Sequence, residues 1–138
     1  MDKFNKMLAG FEPMVLSIFR IMTGLLLFQY GVAKLLKYPV LPYFAKVPPL
    51  ITAAGAIELV GGALLILGLF TRPVAFILSG EMAFAYFIGH MFKGGVAAPV
   101  FIPLLNGGNA AILFCFGCLY LACAGGGVWA IDAVLRKR

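Results

Sequence analysis

The chain has 138 residues, of which 63% are hydrophobic and 12% charged, and a formal net charge of +6. So few charged groups cannot cover a soluble core of this size, which excludes an ordinary soluble domain and leaves a membrane protein whose first partner is the lipid bilayer. The basic residues punctuate apolar runs and gather at the C-terminus as Arg136, Lys137 and Arg138, a placement that fits lipid headgroups and argues against nucleic acid as a partner.

The opening stretch "MDKFNKMLAGFEP" leads into an apolar run too long for a signal-peptide core, and further runs follow, so the run is expected to stay as a membrane helix. A hydrocarbon core of ~30 Å takes about 20 apolar residues of helix. Four segments reach that length: residues 13–35, opened by Pro13; 50–70, after Pro48 and Pro49; 73–92, starting at Pro73; and 109–131. The predicted fold class is all-α, an integral membrane four-helix bundle forming a single domain over 1–138.

"TRP" at 71–73 reads as a tight hairpin that makes spans two and three antiparallel neighbours. "LKYPVLPYFAKVPP", between spans one and two, carries four prolines with Tyr38, Tyr43 and Phe44, and "KGGVAAPVFIPLLNGG", between spans three and four, is rich in Gly and Pro around an apolar middle. Both connections are expected at the same membrane face, where they can cover a pocket. An even number of spans puts both termini on one side with Lys3, Lys6, Arg72, Arg136, Lys137 and Arg138, against Lys34, Lys37, Lys46 and Lys93 on the other. Six against four favours cytoplasmic N- and C-termini.

Arg20, Glu58 and Glu81 lie well inside spans one, two and three. Each costs at least ~2.5 kcal/mol at mid-membrane, so such groups face the interior and pair. At ~1.5 Å per residue, Arg20 and Glu81 both sit about 10–12 Å from the terminal side, while Glu58 sits about 18 Å from it. That depth match predicts a buried ion pair between Arg20 and Glu81, and leaves Glu58 leaning toward the opposite face. Arg20, Thr23, Gly24, Leu27, Gly31 and Lys34 share one stripe of span one, with Tyr30 at its edge. Ala54, Gly55, Glu58, Gly61 and Gly62 share a stripe of span two whose small residues permit close backbone approach.

His90, the single histidine, matches Tyr30, Lys34 and Asn109 in depth. It can share a cavity with Glu81 only if the helix distorts near Gly89 or ends early at Gly94–Gly95. One histidine and scattered carboxylates show no metal-ligand spacing, and no nucleotide-binding glycine loop is present. Cys115 and Cys118 form a C-x-x-C inside span four, with Cys123 behind them. Asn109, Leu113, Phe116, Tyr120 and Cys123 share one stripe of that helix, so if Asn109 faces the interior, Cys115 and Cys118 face lipid or a neighbouring protomer. They read as small apolar filler rather than a redox centre.

The stretches "FRIMTGLLLFQYGVAKL", "IELVGGALLILGLFTRPVA", "EMAFAYFIGHMFKG", "NGGNAAILF" and "GGGVWAIDAVLRK" together resemble the DoxX family of small bacterial membrane proteins, from about residue 13 to the end. The resemblance implies a four-helix bundle in the bacterial cytoplasmic (inner) membrane. It also implies a link to thiosulfate:quinone oxidoreductase subunits and to complexes handling oxidative or thiol stress. Arg20, Tyr30, Lys34, Glu58, Arg72, Glu81 and His90 fall where the family places polar residues. Asn109 stands where a Glu commonly follows "NGG", so a proton-transfer role at that position is not carried over.

Three functions follow. The first is a redox-complex subunit that binds a quinone, or a similar small molecule, between spans. Tyr30, Lys34, Asn109 and Tyr120 line its pocket, and Glu58 and His90 are the candidate catalytic groups. No intrinsic cofactor motif is present, so a redox partner protein must supply electrons. The second is a non-enzymatic assembly subunit in which the buried charges only fix the fold. The third, a small-solute transporter, fits four short spans least well unless the chain is a homo-oligomer.

Overall fold

Lipid offers no hydrogen bonds to a spanning backbone, and the chain meets that constraint with helices. A computed structural model describes residues 1–137; Arg138, counted above among the terminal cations, lies outside the described residues. In chain order the elements are α1 (Asp2–Gly10), α2 (Glu12–Leu36), a 3-10 turn (Pro42–Phe44), α3 (Pro49–Leu67), α4 (Thr71–Tyr86) running on as a π-helical turn (Phe87–Met91), α5 (Pro103–Asn106), α6 (Asn109–Ala124) and α7 (Ile131–Leu135). The protein is an all-helical membrane bundle.

Among the described residues, three helices are long and apolar enough to cross a membrane: α2, α3, and α4 with its π continuation. The fourth is shorter than the expected 109–131. α6 has 16 residues and stops at Ala124, about 24 Å of helix. Gly125 and Gly127 adopt φ of 89° and 79°, the left-handed region that glycine enters without a Cβ clash. The chain then leaves the helix axis as a loop before α7.

The four long helices stand in a ring in which α2 lies along α3 and α4 along α6, with lighter α3–α4 and α2–α6 contacts, so α2 and α4 are diagonal. Leu27, Leu65, Ala75, Leu78, Met82, Cys118 and Leu121 fill the centre. Between helices in lipid, close packing replaces the hydrophobic drive, and glycines make the α2–α3 seam. A Cβ on Gly24 would lie 2.8 Å from the Gly62 carbonyl oxygen, and one on Gly31 would lie 2.5 Å from the Leu59 nitrogen. Both helices carry these glycines seven residues apart, at 24 and 31 and at 55 and 62, so the two backbones touch over two turns. Val15, Phe19, Val60, Phe76, Phe84 and Phe116 are exposed on the outside, the faces that meet lipid.

Candidate functional site

The glycine seam brings the last turn of α2 against the middle of α3. Lys34 Nζ donates to Glu58 Oε1 at 2.6 Å and Oε2 at 2.7 Å, with the Glu58 side chain 2% exposed and that of Lys34 12%. The ammonium also lies 5.9 Å from the Tyr30 ring centroid and 5.7 Å from that of Phe44, within range of cation–π attraction. Phe44 belongs to the connection between α2 and α3. Lys37 Nζ fixes that connection in place, donating to the carbonyls of Lys34 at 2.9 Å and Phe44 at 2.7 Å.

Glu81 lies on α4, which packs against α3. It lies within electrostatic reach of both Glu58 and Lys34, and among the described residues its buried Oε2 has no hydrogen-bond partner. A buried polar atom without a partner is uncommon and marks a place where a ligand or a proton can be taken up.

The expected Arg20–Glu81 ion pair does not form. Arg20 is fully buried, and its guanidinium is spent on backbone carbonyls. Nε donates to Gly126 at 2.7 Å, Nη1 to Ile66 at 2.7 Å and also to Leu65, and Nη2 to Trp129 at 3.2 Å. Leu65 and Ile66 lie in the last turn of α3, where carbonyls lack helical partners and the macrodipole favours a cation. Depth alone suggested Glu81, but α2 and α4 are diagonal, and the guanidinium turns instead to carbonyls at the end of adjacent α3.

The same end is tied together by Asp132 and Trp129, to which the sequence reading gave no role, and by Arg72. Asp132 of α7 accepts from the backbone N–H of Phe70 and of Thr71, each at 2.8 Å, capping the start of α4 as an N-cap side chain does. Asp132 also donates its own N–H to the Gly68 carbonyl at 3.0 Å. Partial burial pushes its carboxyl up, but the Thr71 and Phe70 N–H groups and the Arg20 charge outweigh that and hold it below the ordinary carboxylate range. Arg72 closes the end of α6, donating Nη1 to the carbonyls of Cys123 at 2.5 Å and Ala122 at 3.3 Å. Trp129 N–H donates to Ser17 Oγ at 3.2 Å. The sequence offers only a weak trace of this latch, an acid after a glycine triplet and an Arg after a threonine, and neither says which distant helix end it meets.

His90 sits on the π turn, so α4 does distort at Gly89. Its Nδ1 lies 3.0 Å from the Asn106 carbonyl oxygen. A carbonyl only accepts, so Nδ1 carries the proton and donates to it. No hydrogen bond among the described residues joins His90 to Tyr30, Lys34, Glu58 or Asn109.

No hydrogen bond among the described residues joins Asn109 or Tyr120 to the Lys34–Glu58 pair. Asn109 is exposed and Tyr120 is 50% exposed, on the outward face with Leu113 and Phe116. α6 is turned so that Cys118 enters the core, and Cys115 lends its carbonyl to the Ser79 hydroxyl at 2.8 Å. All three cysteines are free, and Cys118 acts as a small apolar side chain. A cleft of about 690 Å³ opens at the terminal end beside Glu12, Arg72, Gly126, Asp132 and Arg136.

Helices of this length around a buried Lys–Glu pair and a buried arginine define a small multi-pass membrane protein. The chain belongs to the DoxX family, whose model matches residues 15–91 and so spans Arg20, Lys34, Glu58, Glu81 and His90. It is also 41% identical over 134 residues to an "Uncharacterized protein" of Haemophilus influenzae, covering 95% of this chain and 98% of the relative. No solved structure matches.

Proposed function

We propose that the chain is a subunit of a membrane redox complex in the bacterial cytoplasmic membrane, its termini cytoplasmic, and that the Lys34–Glu58–Glu81 cluster receives the head group of a quinone or a similar small carbonyl compound. One observation carries the reading: the partnerless Glu81 Oε2 beside a buried Lys34–Glu58 pair. Lys34 has three N–H donors and gives two bonds to Glu58, so a third can hold a ligand oxygen while Tyr30 and Phe44 flank it. Glu81 can exchange a proton at Oε2, and Glu58 keeps Lys34 oriented. A quinone, when bound, supplies the electron-accepting couple; a partner protein supplies the electrons. His90, oriented by Asn106, stands apart as a surface base.

The test is purification in mild detergent, identification of any co-extracted quinone, and binding titrations of wild type, Lys34→Met and Glu81→Gln. Loss of one charge-assisted hydrogen bond is expected to weaken binding about 10- to 100-fold. Wild type that neither carries nor binds a quinone overturns the reading.

A second reading, an assembly subunit without chemistry of its own, is favoured by Arg20: a buried charge satisfied wholly by backbone carbonyls has a structural role alone. A stable partner complex whose activity survives Lys34→Met and Glu81→Gln would select it.

A further inference from the structure

Pro13 cannot donate to the Ala9 carbonyl, so the helix ladder breaks at the α1–α2 joint. α1 is consequently a separate element, hinged at Phe11 (φ −87°, ψ −8°). None of its residues is buried. Phe4, Met7, Leu8 and Phe11 fall at i, i+3, i+4 and i+7, which is one helical face, and they are exposed by 58%, 52%, 51% and 48%. On a wheel of ~100° per residue, Lys3 and Lys6 lie on the polar side of that stripe.

An apolar face of this size belongs against something, and its position decides what. It leads directly into a membrane-spanning helix, so it lies at the level of a leaflet surface. The same end carries further cations. Trp129 bonds Ser17 near the start of α2, and Asp132 bonds Phe70 and Thr71 at the start of α4, which places α7 there with exposed Arg136 and Lys137. Short amphipathic helices of this pattern lie in the interface plane, their apolar face in the acyl boundary and their cations on headgroups. Each lysine near an anionic surface contributes attraction that falls off within a Debye length.

We propose that α1 is an in-plane membrane anchor at the terminal end of the bundle, with the Phe4–Met7–Leu8–Phe11 face in the acyl boundary and Lys3 and Lys6 on the phosphates of anionic phospholipids. It sets the depth at which α2 enters the bilayer and gathers anionic lipid around the α7 end. It is independent of the Lys34 cluster at the far end.

Hydrogen–deuterium exchange of the full-length protein in nanodiscs tests this, comparing phosphatidylglycerol–phosphatidylcholine discs with phosphatidylcholine alone. The α1 amides are expected to exchange more slowly in the anionic discs, and Lys3→Gln/Lys6→Gln to remove about 30-fold of that protection. Phe4→Ser/Leu8→Ser is expected to leave α1 unprotected in both discs while α2 amides stay protected, which shows that the bundle remains folded. Wild-type α1 exchanging equally in both discs, or unaffected by Phe4→Ser/Leu8→Ser, overturns the proposal. So does protection that disappears when discs hold a single copy, since a second chain would then be the occupant.

Discussion

The two ends of the bundle each bury a cation from α2, and they use it differently. At the terminal end no carboxylate of the described residues lies within bonding distance of Arg20; four carbonyls from α3 and the 125–130 loop absorb its donors. At the far end Lys34 meets Glu58 side chain to side chain, with a third ionisable group, Glu81, left partly unbonded. A charge satisfied by backbone has nowhere to send a proton and can only hold helix ends together. A charge satisfied by a neighbouring acid, with a second acid beside it, can change partners. The planar five-donor guanidinium suits the first task, and the compact ammonium suits the second.

The sharpest way to break the contrast is Arg20→Ala. Losing one cation there strands several buried carbonyls at about 1–3 kcal/mol each, so an overall cost on the order of 4 kcal/mol is expected. Unfolding in detergent with a graded denaturant measures it, and Arg20→Lys should recover little because a compact ammonium lacks the planar fork that spans four carbonyls. Little or no loss would show that Arg20 is not a latch. Lys34→Met comes next: it leaves Glu58 buried without a partner, for a cost of about 3 kcal/mol. Adding Glu58→Gln should return most of that, a double-mutant signature absent if the two residues act independently.

Gly31→Ala tests the seam that aligns the Lys34 end. Its methyl would meet the Leu59 backbone at 2.5 Å, so α2 and α3 must separate, at about 1–3 kcal/mol. The Arg20 contacts should remain while exchange near Glu58 rises, and uniform loosening of both ends would contradict a local seam. The smallest effect is expected from Asp132→Asn, about 1 kcal/mol for a weakened cap. Because the folded carboxyl is held below its ordinary value, its contribution is complete above the unfolded pKa and is lost as pH falls through the lower folded value. The gap between wild type and Asp132→Asn should therefore be full at pH 7 and shrink below about pH 4. A pH-independent gap would remove charge from the account of that cap.

Much of the fold was legible because lipid imposes it. The boundaries of α2 and α3 follow from Pro13, Pro48 and Gly68 within a few residues, and the family resemblance rested on stretches that the family match now covers through Met91. The latch was harder to see. Asp132 and Arg72 carry ordinary charges near a membrane surface, and nothing local distinguishes a cap on a distant helix from a headgroup contact. Lys34 and Glu58 were both singled out, but separately; the glycines of span two were read as permitting close approach, not as setting the register that pairs them. Pairing by depth chose Glu81 for Arg20 because depth ignores which helices are neighbours.

The sequence by itself determined that this is a helical membrane protein, where most of its helices begin, and which few polar groups must be buried, since an uncompensated charge or open backbone in lipid is too costly to tolerate. The tertiary structure alone decided which cation meets which acceptor and which way α6 faces. The hydrophobicity of α6 is nearly even around its axis, so no periodicity could orient Cys118 inward and Asn109 and Tyr120 outward. Only the fit of its side chains against α4 does so, and the Gly125–Gly127 break, held by Arg20 and Arg72, ends the helix where that fit stops.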